Sequence, residues 1–220
     1  MKDYAFIFDM DGVIVDSNPY HKIALQQFCI KHGHPLTEEQ LRTKIYGRTN
    51  KEWIAQLFGQ LTPEQVARYA DEKEALFRDL YKNDIRPVKG LIPFLQAMDA
   101  SSIPRAIGTS APRANVDFTL SRTGTTRFFK VILDESFVTK GKPNPEIYLK
   151  VAQALKLPPQ QCVVIEDSLS GIAAGKEAGS KVIGITTTHT KAELASTDMV
   201  IDDFEGLEPK NVLKMLFGES

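Results

Sequence analysis

Two carboxylates stand directly behind an apolar run in Phe6-Ile7-Phe8-Asp9-Met10-Asp11-Gly12-Val13. A carboxylate pair at the carboxyl end of a sheet strand sits where open α/β folds gather their active sites. Residues two apart on an ideal strand point the same way, but Gly12 marks a turn that separates the pair. One aspartate can then face a reacting phosphorus while the other faces the entering or leaving oxygen. A carboxylate is a weak nucleophile, so Asp9 would need an in-line position and a cation against the phosphoryl oxygens. Mg²⁺ suits that need, being a hard ion that takes few protein carboxylates and keeps oxygens from water and phosphate. Taken alone, the same pair could equally open a solvated turn.

Three further groups have the residue types this chemistry requires. Val163-Val164-Ile165-Glu166-Asp167-Ser168 repeats the layout of apolar strand, acids and helix start, with Ser168 as the cap. If the two strands are neighbours, Asp9, Glu166 and Asp167 converge on one divalent ion. Ile107-Gly108-Thr109-Ser110 is a strand ending in hydroxyls ahead of a helix near Pro112, which sets an O–H and backbone N–H groups where a phosphate can bind. Lys140-Gly141-Lys142-Pro143-Asn144-Pro145 holds a lysine before a helix, where its ammonium can balance both carboxylates and a phosphoryl group. Singly, each has a plain structural reading as well: hydroxyls cap most helices, and loop lysines are usually solvated.

These groups need a frame, and short β-branched runs supply one. Ala5 to Phe8, Ala106 to Gly108, Val131 to Leu133, Val163 to Ile165, Val182 to Ile185 and Met199 to Ile201 are apolar on both faces, as strands of a buried parallel sheet are. Helical patterns alternate with them, such as Asn144-Pro145-Glu146 followed by Ile147, Tyr148, Val151, Ala152 and Leu155. The alternation predicts an α/β core, a doubly wound parallel sheet. Residues 17 to 85 show helical patterns and no strand, which predicts a helical cap subdomain inserted between core segments 1–16 and 86–220.

The 220 residues are 42% hydrophobic, enough for a substantial interior, and 27 basic against 28 acidic residues give a net charge of −1 with no charged tract. Neither nucleic acid nor a membrane surface is an expected partner, and no run approaches a membrane-spanning length. Cys29 and Cys162 lie far apart in apolar stretches, so no disulfide is expected and the compartment reads as cytoplasmic.

Taken in order over nearly the whole chain, the four motifs resemble those of the haloacid dehalogenase superfamily of phosphatases and phosphomutases, above all its β-phosphoglucomutase-like branch with a helical cap. The resemblance implies a Rossmann-like core and phosphoryl transfer through an aspartyl phosphate on Asp9. It makes Asp11 the general acid/base, with its backbone carbonyl also a Mg²⁺ ligand. Thr109 becomes the hydroxyl that binds the phosphoryl group and Lys142 the motif lysine. Glu166 and Asp167 become the acidic metal site, Asp167 the more secure ligand.

The cap is expected to sit over the site and set the substrate. His21 matches a hinge histidine of this branch, and reads equally well as a half-buried helix residue. Ser110, Arg48, Asn50 and Arg113 are the other substrate-binding candidates. The branch's mutases carry an arginine three residues after the glycine of Tyr46-Gly47-Arg48-Thr49-Asn50, where this chain has Asn50. They also carry a serine and a lysine after the second motif, absent from Thr109-Ser110-Ala111-Pro112-Arg113. The expected function is therefore a Mg²⁺-dependent phosphatase of a small phosphorylated metabolite, a sugar phosphate or pyrophosphate, acting as a monomer or small homo-oligomer. A hexose phosphomutase is the runner-up, and a ligand-binding or regulatory module is the non-enzymatic alternative. His32 and His34 read as a helix end, Trp53, Leu57 and Phe58 as cap core, and His189 as a surface residue.

Overall fold

The run Ala5–Phe8 carries no polar side chain, and such a strand belongs in the middle of a sheet covered on both faces. The computed structural model, which describes residues 4–44 and 50–218, has all four of its residues buried. Strands β1 (Ala5–Phe8), β2 (Arg105–Gly108), β3 (Val131–Leu133), β4 (Cys162–Glu166), β5 (Lys181–Ile185) and β6 (Met199–Ile201) form one sheet in the order β3-β2-β1-β4-β5-β6. Every pairing is parallel, with Phe6 beside Arg105 on one side and Val163 on the other. The strand order reverses direction at β1 and β4, and a doubly wound sheet opens a crevice at the carboxyl ends of such a pair.

The chain divides into two compact units, Met1–Asp16 with Ile85–Ser220, and Ser17–Asp84. The latter is built from α1 (Asn18–Lys31), α2 (Glu38–Lys44), α3 (Asn50–Phe58) and α4 (Pro63–Tyr81). Its core gathers Leu25, Phe28, Cys29, Leu41, Trp53 and Ile54. Helix α4 starts on a capping box: Gln65 N donates to Thr62 Oγ1, and Thr62 N donates to Gln65 Oε1. One turn of α4 breaks the usual rule for charge, since Lys73 and Glu74 are both buried.

In the larger unit, α5 (Leu91–Ala100), α6 (Arg113–Thr123), α7 (Glu146–Leu155), α8 (Leu169–Glu177) and α9 (Pro209–Phe217) cover the sheet. Alternation along β1 sends Ala5 and Ile7 into a cluster with Ile147, Tyr148 and Val151 of α7 and Ile172 of α8. Phe6 and Phe8 go the other way, onto Phe94 of α5 and Phe204. Full burial of one such side chain contributes about 1.5–3 kcal/mol. Asn144 Oδ1 accepts from Glu146 N, the cap interaction the Asn-Pro-Glu signature predicts, although the helix itself opens at Glu146, after the proline. No helix among the described residues is long and apolar enough to cross a membrane.

Candidate active site

Asp9 is the first residue past β1, and its N–H still donates to Ile165 O of β4 at 3.0 Å, so pairing with the neighbouring strand extends up to the candidate nucleophile. Beyond it the chain turns back on itself. Gly12, at a positive φ of 74°, donates its N–H to Val15 O, and Ile14 N returns to Met10 O. A Cβ at Gly12 would collide with the Asp167 carboxylate, so this turn can approach the acidic pair closely only as glycine. Asp11 leaves from the turn and is half-buried, whereas Asp9 is buried.

Glu166 ends β4 and Asp167 follows it, so the register that pairs Phe8 with Ile165 sets the three carboxylates side by side. Asp9, Glu166 and Asp167 each offer an oxygen, all within 4.8 Å of one another, and all three residues are buried. Burial, then the Glu166 and Asp9 charges, hold the Asp167 carboxyl well above the usual carboxylate range. Burial also lifts Asp9, to about 7, against the opposing charge of Lys142. Three hard oxygen donors at this spacing, with more negative charge than one lysine offsets, fit a hard divalent cation.

Lys142 reaches in from the loop before α7. Its Nζ donates to Asp9 Oδ1 at 2.8 Å and Glu166 Oε1 at 2.6 Å, and lies 5.1 Å from the centre of the Tyr148 ring. Although burial opposes its charge, Asp9 and Glu166 raise its pKa well above the ordinary lysine value. Burial likewise pushes the Glu166 carboxyl up, and Lys142 more than reverses it. Glu146 braces the loop, accepting from Thr139 N, Thr139 Oγ1 and Lys140 N.

Thr109 follows β2, buried, with its N–H on Leu133 O and its Oγ1 accepting from Ala111 N at 3.1 Å. Ser110 beside it is exposed. Helix α6 begins behind Pro112 with no side-chain cap, and in its first turn Asn115 N donates to Pro112 O at 2.9 Å. Arg113 turns along its own helix, its Nε donating to Asp117 Oδ1 at 2.9 Å.

Three neighbours of these residues are not among the sequence candidates. Tyr148, completely buried, donates its hydroxyl to Glu166 Oε1 at 2.5 Å. Thr187 Oγ1 donates to Gly12 O at 2.6 Å, and Thr188 Oγ1 donates to Asp167 Oδ2, so the segment after β5 clasps both the turn and the acidic pair. The signal was the hydroxyl run Thr186-Thr187-Thr188 at a strand end, on the same sheet edge as the carboxylates.

The candidates of the helical unit meet a network of their own. Asn50 Nδ2 donates to Glu74 Oε1 at 2.9 Å, while its Oδ1 accepts from Trp53 Nε1 at 3.0 Å. Lys73 Nζ donates to Glu74 Oε1 at 2.8 Å and lies 3.1 Å from His21 Nδ1. His21 stacks on Phe77 with ring centres 3.6 Å apart. Arg48, with Tyr46, Gly47 and Thr49, lies outside the described residues.

Residues 6–185 match the family model described as haloacid dehalogenase-like hydrolase. A phosphorylated carbohydrates phosphatase of Thermotoga maritima is 33% identical over 187 residues, covering 82% of this chain and 84% of that protein. Among solved structures, a family IA haloacid dehalogenase hydrolase from Entamoeba histolytica superposes with a TM-score of 0.88 at 31% identity, covering 97% of this chain and 99% of its own. A β-phosphoglucomutase from Clostridium difficile gives 0.81 at 27% identity, with 98% and 97% covered.

Proposed function

We propose that this chain, which belongs to the haloacid dehalogenase-like hydrolases and is a phosphatase, releases phosphate from a small phosphorylated metabolite through a phosphoryl group carried on Asp9. The observation that carries the proposal is the buried Asp9 carboxylate at the end of the central strand, with the Lys142 ammonium 2.8 Å from its Oδ1.

An Asp9 oxygen attacks phosphorus in line with the leaving oxygen, so the new O–P bond forms as the old one breaks. Asp11 gives its proton to the departing oxygen. It then takes a proton from the water that attacks the phosphoryl group, which frees inorganic phosphate and returns Asp9 as a carboxylate. Lys142 and the Thr109 hydroxyl stabilise the equatorial oxygens; because Thr109 Oγ1 already accepts from Ala111 N, its own proton remains to donate. Asp9, the Asp11 backbone carbonyl and the Glu166–Asp167 pair would hold Mg²⁺, which when bound neutralises phosphoryl oxygens and crowded carboxylates alike.

The larger unit serves as catalytic core in this proposal and the helical unit as a cap that governs substrate choice. Ser110 and His21 remain substrate-binding candidates. Asn50 and Arg113 have side-chain partners of their own, which argues against a second phosphate grip from either. The substrate class we favour is a phosphorylated sugar or sugar alcohol, with pyrophosphate also admissible. A cytoplasmic setting and a monomeric or small homo-oligomeric state complete the proposal. Phosphate release across sugar phosphates, nucleotides, aryl phosphates and pyrophosphate with Mg²⁺ tests it, and no turnover of any phosphomonoester or of pyrophosphate would sink it.

The likeness to β-phosphoglucomutase favours one alternative, hexose phosphomutation. Incubation with β-glucose 1-phosphate, Mg²⁺ and catalytic glucose 1,6-bisphosphate separates the two. Free phosphate should outrun glucose 6-phosphate, and the reverse would promote the mutase.

A further inference from the structure

The turn that carries Asp11 is built on a residue that gives the backbone unusual freedom. Gly12 is needed there, because a Cβ would strike the Asp167 carboxylate. Glycine also reaches more of φ/ψ space than any other residue, so the turn it permits is one it does not by itself hold in shape. The ends of the turn are fixed: Asp9 N donates to Ile165 O before it, and Val88 N donates to Ile14 O at 2.9 Å after it. Within it, Gly12 N donates to Val15 O at 2.7 Å and Ile14 N to Met10 O at 2.8 Å, which closes the turn on itself.

Its apex is tied to the sheet from another strand end. Thr187 Oγ1 donates to Gly12 O at 2.6 Å. Strand β5, which Thr187 follows, is separated from β1 by β4, so this hydroxyl spans the end of the intervening strand, beside Asp167. The segment it comes from is anchored in turn. Thr186 N donates to Ile201 O at 3.0 Å, and Thr186 Oγ1 donates to Asp202 Oδ1 at 2.8 Å. Thr188 Oγ1 donates to Asp167 Oδ2. Three consecutive hydroxyls thus serve three acceptors, one past β6, one on the Gly12 turn and one in the acidic pair.

We infer that Thr187 is a positioning residue for the proton transfer made by Asp11. By holding the Gly12 carbonyl it removes the freedom that glycine gives the turn, and so keeps Asp11, one residue earlier, aimed at the departing oxygen. The inference rests on the phosphatase reading of the site, in which Asp11 is the acid. It assigns the aim of that acid to a side chain two strands away from the nucleophile's own.

Such a role has a signature that simple structural damage lacks. Misplacing a reacting group by 1 Å can cost about a hundredfold, and a misaimed acid costs most on substrates whose leaving oxygen needs its proton. Thr187→Val removes the hydroxyl and keeps the shape. In the full chain at saturating Mg²⁺, kcat/KM for the alkyl phosphate that the wild type hydrolyses fastest should fall by about tenfold or more, and for p-nitrophenyl phosphate by less than about threefold. Thr187→Ser, which keeps the hydroxyl, should restore both. In an Asp11→Asn background Thr187→Val should cost less than about twofold on either substrate, since the group it aims is gone. A readout free of turnover accompanies these. In chelator, amide hydrogen exchange in a peptide covering residues 10–15 should be at least about threefold faster in Thr187→Val than in the wild type or Thr187→Ser.

Melting curves establish that the variants fold. A loss confined to the alkyl substrate, absent from the Asp11→Asn background and matched by faster exchange at the turn, supports the assignment. No loss on either substrate, equal losses on both, a loss that persists without the Asp11 carboxyl, or unchanged exchange at the turn overturns it and leaves the role of Asp11 standing. A wild type inactive on every alkyl phosphate, or an Asp11→Asn variant that slows both substrates alike, removes the acid reading of Asp11 and this assignment with it.

Discussion

Lys142 Nζ lies 2.8 Å from Asp9 Oδ1 with both side chains almost wholly out of water. Removing one partner of a buried pair leaves the other charge uncompensated, at a cost of about 3–5 kcal/mol. Lys142→Met should therefore destabilise the chain by that amount in chelator, measured by urea unfolding, with part of the loss recovered on adding Mg²⁺. Equal stability of the variant and the wild type in chelator would show that the ion pair contributes nothing to the fold.

The same contact makes Asp9→Asn a clean test of covalent catalysis. The amide keeps the shape of the side chain and cannot form the acyl phosphate. Turnover of an aryl phosphate should fall by at least about a thousandfold in a protein whose circular dichroism is unchanged. A folded variant with near-normal turnover would exclude Asp9 as the nucleophile.

Asp11→Asn should discriminate among leaving groups. An alkyl oxygen needs a proton as it departs, whereas a nitrophenolate hardly does. The expected outcome is a larger loss of kcat/KM for a sugar phosphate than for p-nitrophenyl phosphate. Equal losses would remove Asp11 from the acid role.

Thr188 donates to Asp167, and loss of such a partner typically weakens metal affinity or activity by about 10- to 100-fold. Thr188→Val should raise the Mg²⁺ concentration for half-maximal activity within that range, and Thr188→Ser should restore it. Activity in excess chelator should be abolished for both variants and for the wild type. A Mg²⁺ requirement unchanged by Thr188→Val would show that the hydroxyl does not orient Asp167.

Glu74 gives the helical unit a pH dependence of known sign. Burial raises its carboxyl, but Lys73, His21 and the Asn50 amide together hold it below the ordinary value of 4.5. A depressed folded-state pKa means stability that is fully present above the unfolded value and lost as pH falls through the folded one. The stability advantage of wild type over Glu74→Gln, read from urea melts, should be constant from neutral pH down to about 5 and shrink below it. An advantage that grows on acidification would reverse the assignment.

Much of this frame could be read from the chain because parallel strands buried on both faces leave a distinctive run of apolar residues. Val131–Leu133 and Met199–Ile201 begin and end where their β-branched runs do. The acidic groups were equally visible, since each follows such a run directly. Tyr148 was not, because in an amphipathic helix it reads as one more member of the Ile147, Val151 stripe; its hydroxyl acquires meaning only once β4 lies beneath α7. Asn50 is a substrate-binding candidate because it stands where the resembled mutases carry an arginine, three residues after a glycine. That spacing carries no information about Glu74 and Trp53, the partners its amide meets. The pairing of Arg113 with Asp117 needed nothing beyond the four-residue spacing of a helix.

The register that joins Ala5 to Cys162 and Phe8 to Ile165 also fixes a timetable. During synthesis β1 leaves the ribosome long before β4 exists, and its other neighbour, β2, comes after the whole helical unit. The strand that carries the nucleophile is thus an unpaired apolar segment until β2 emerges, and its pairing with β4 closes a loop spanning most of the chain. Contacts so distant in sequence slow folding and lengthen exposure to aggregation. The acidic centre consequently cannot assemble before β4 has been made, and a chain arrested before residue 162 would carry Asp9 without the partners that give it chemistry.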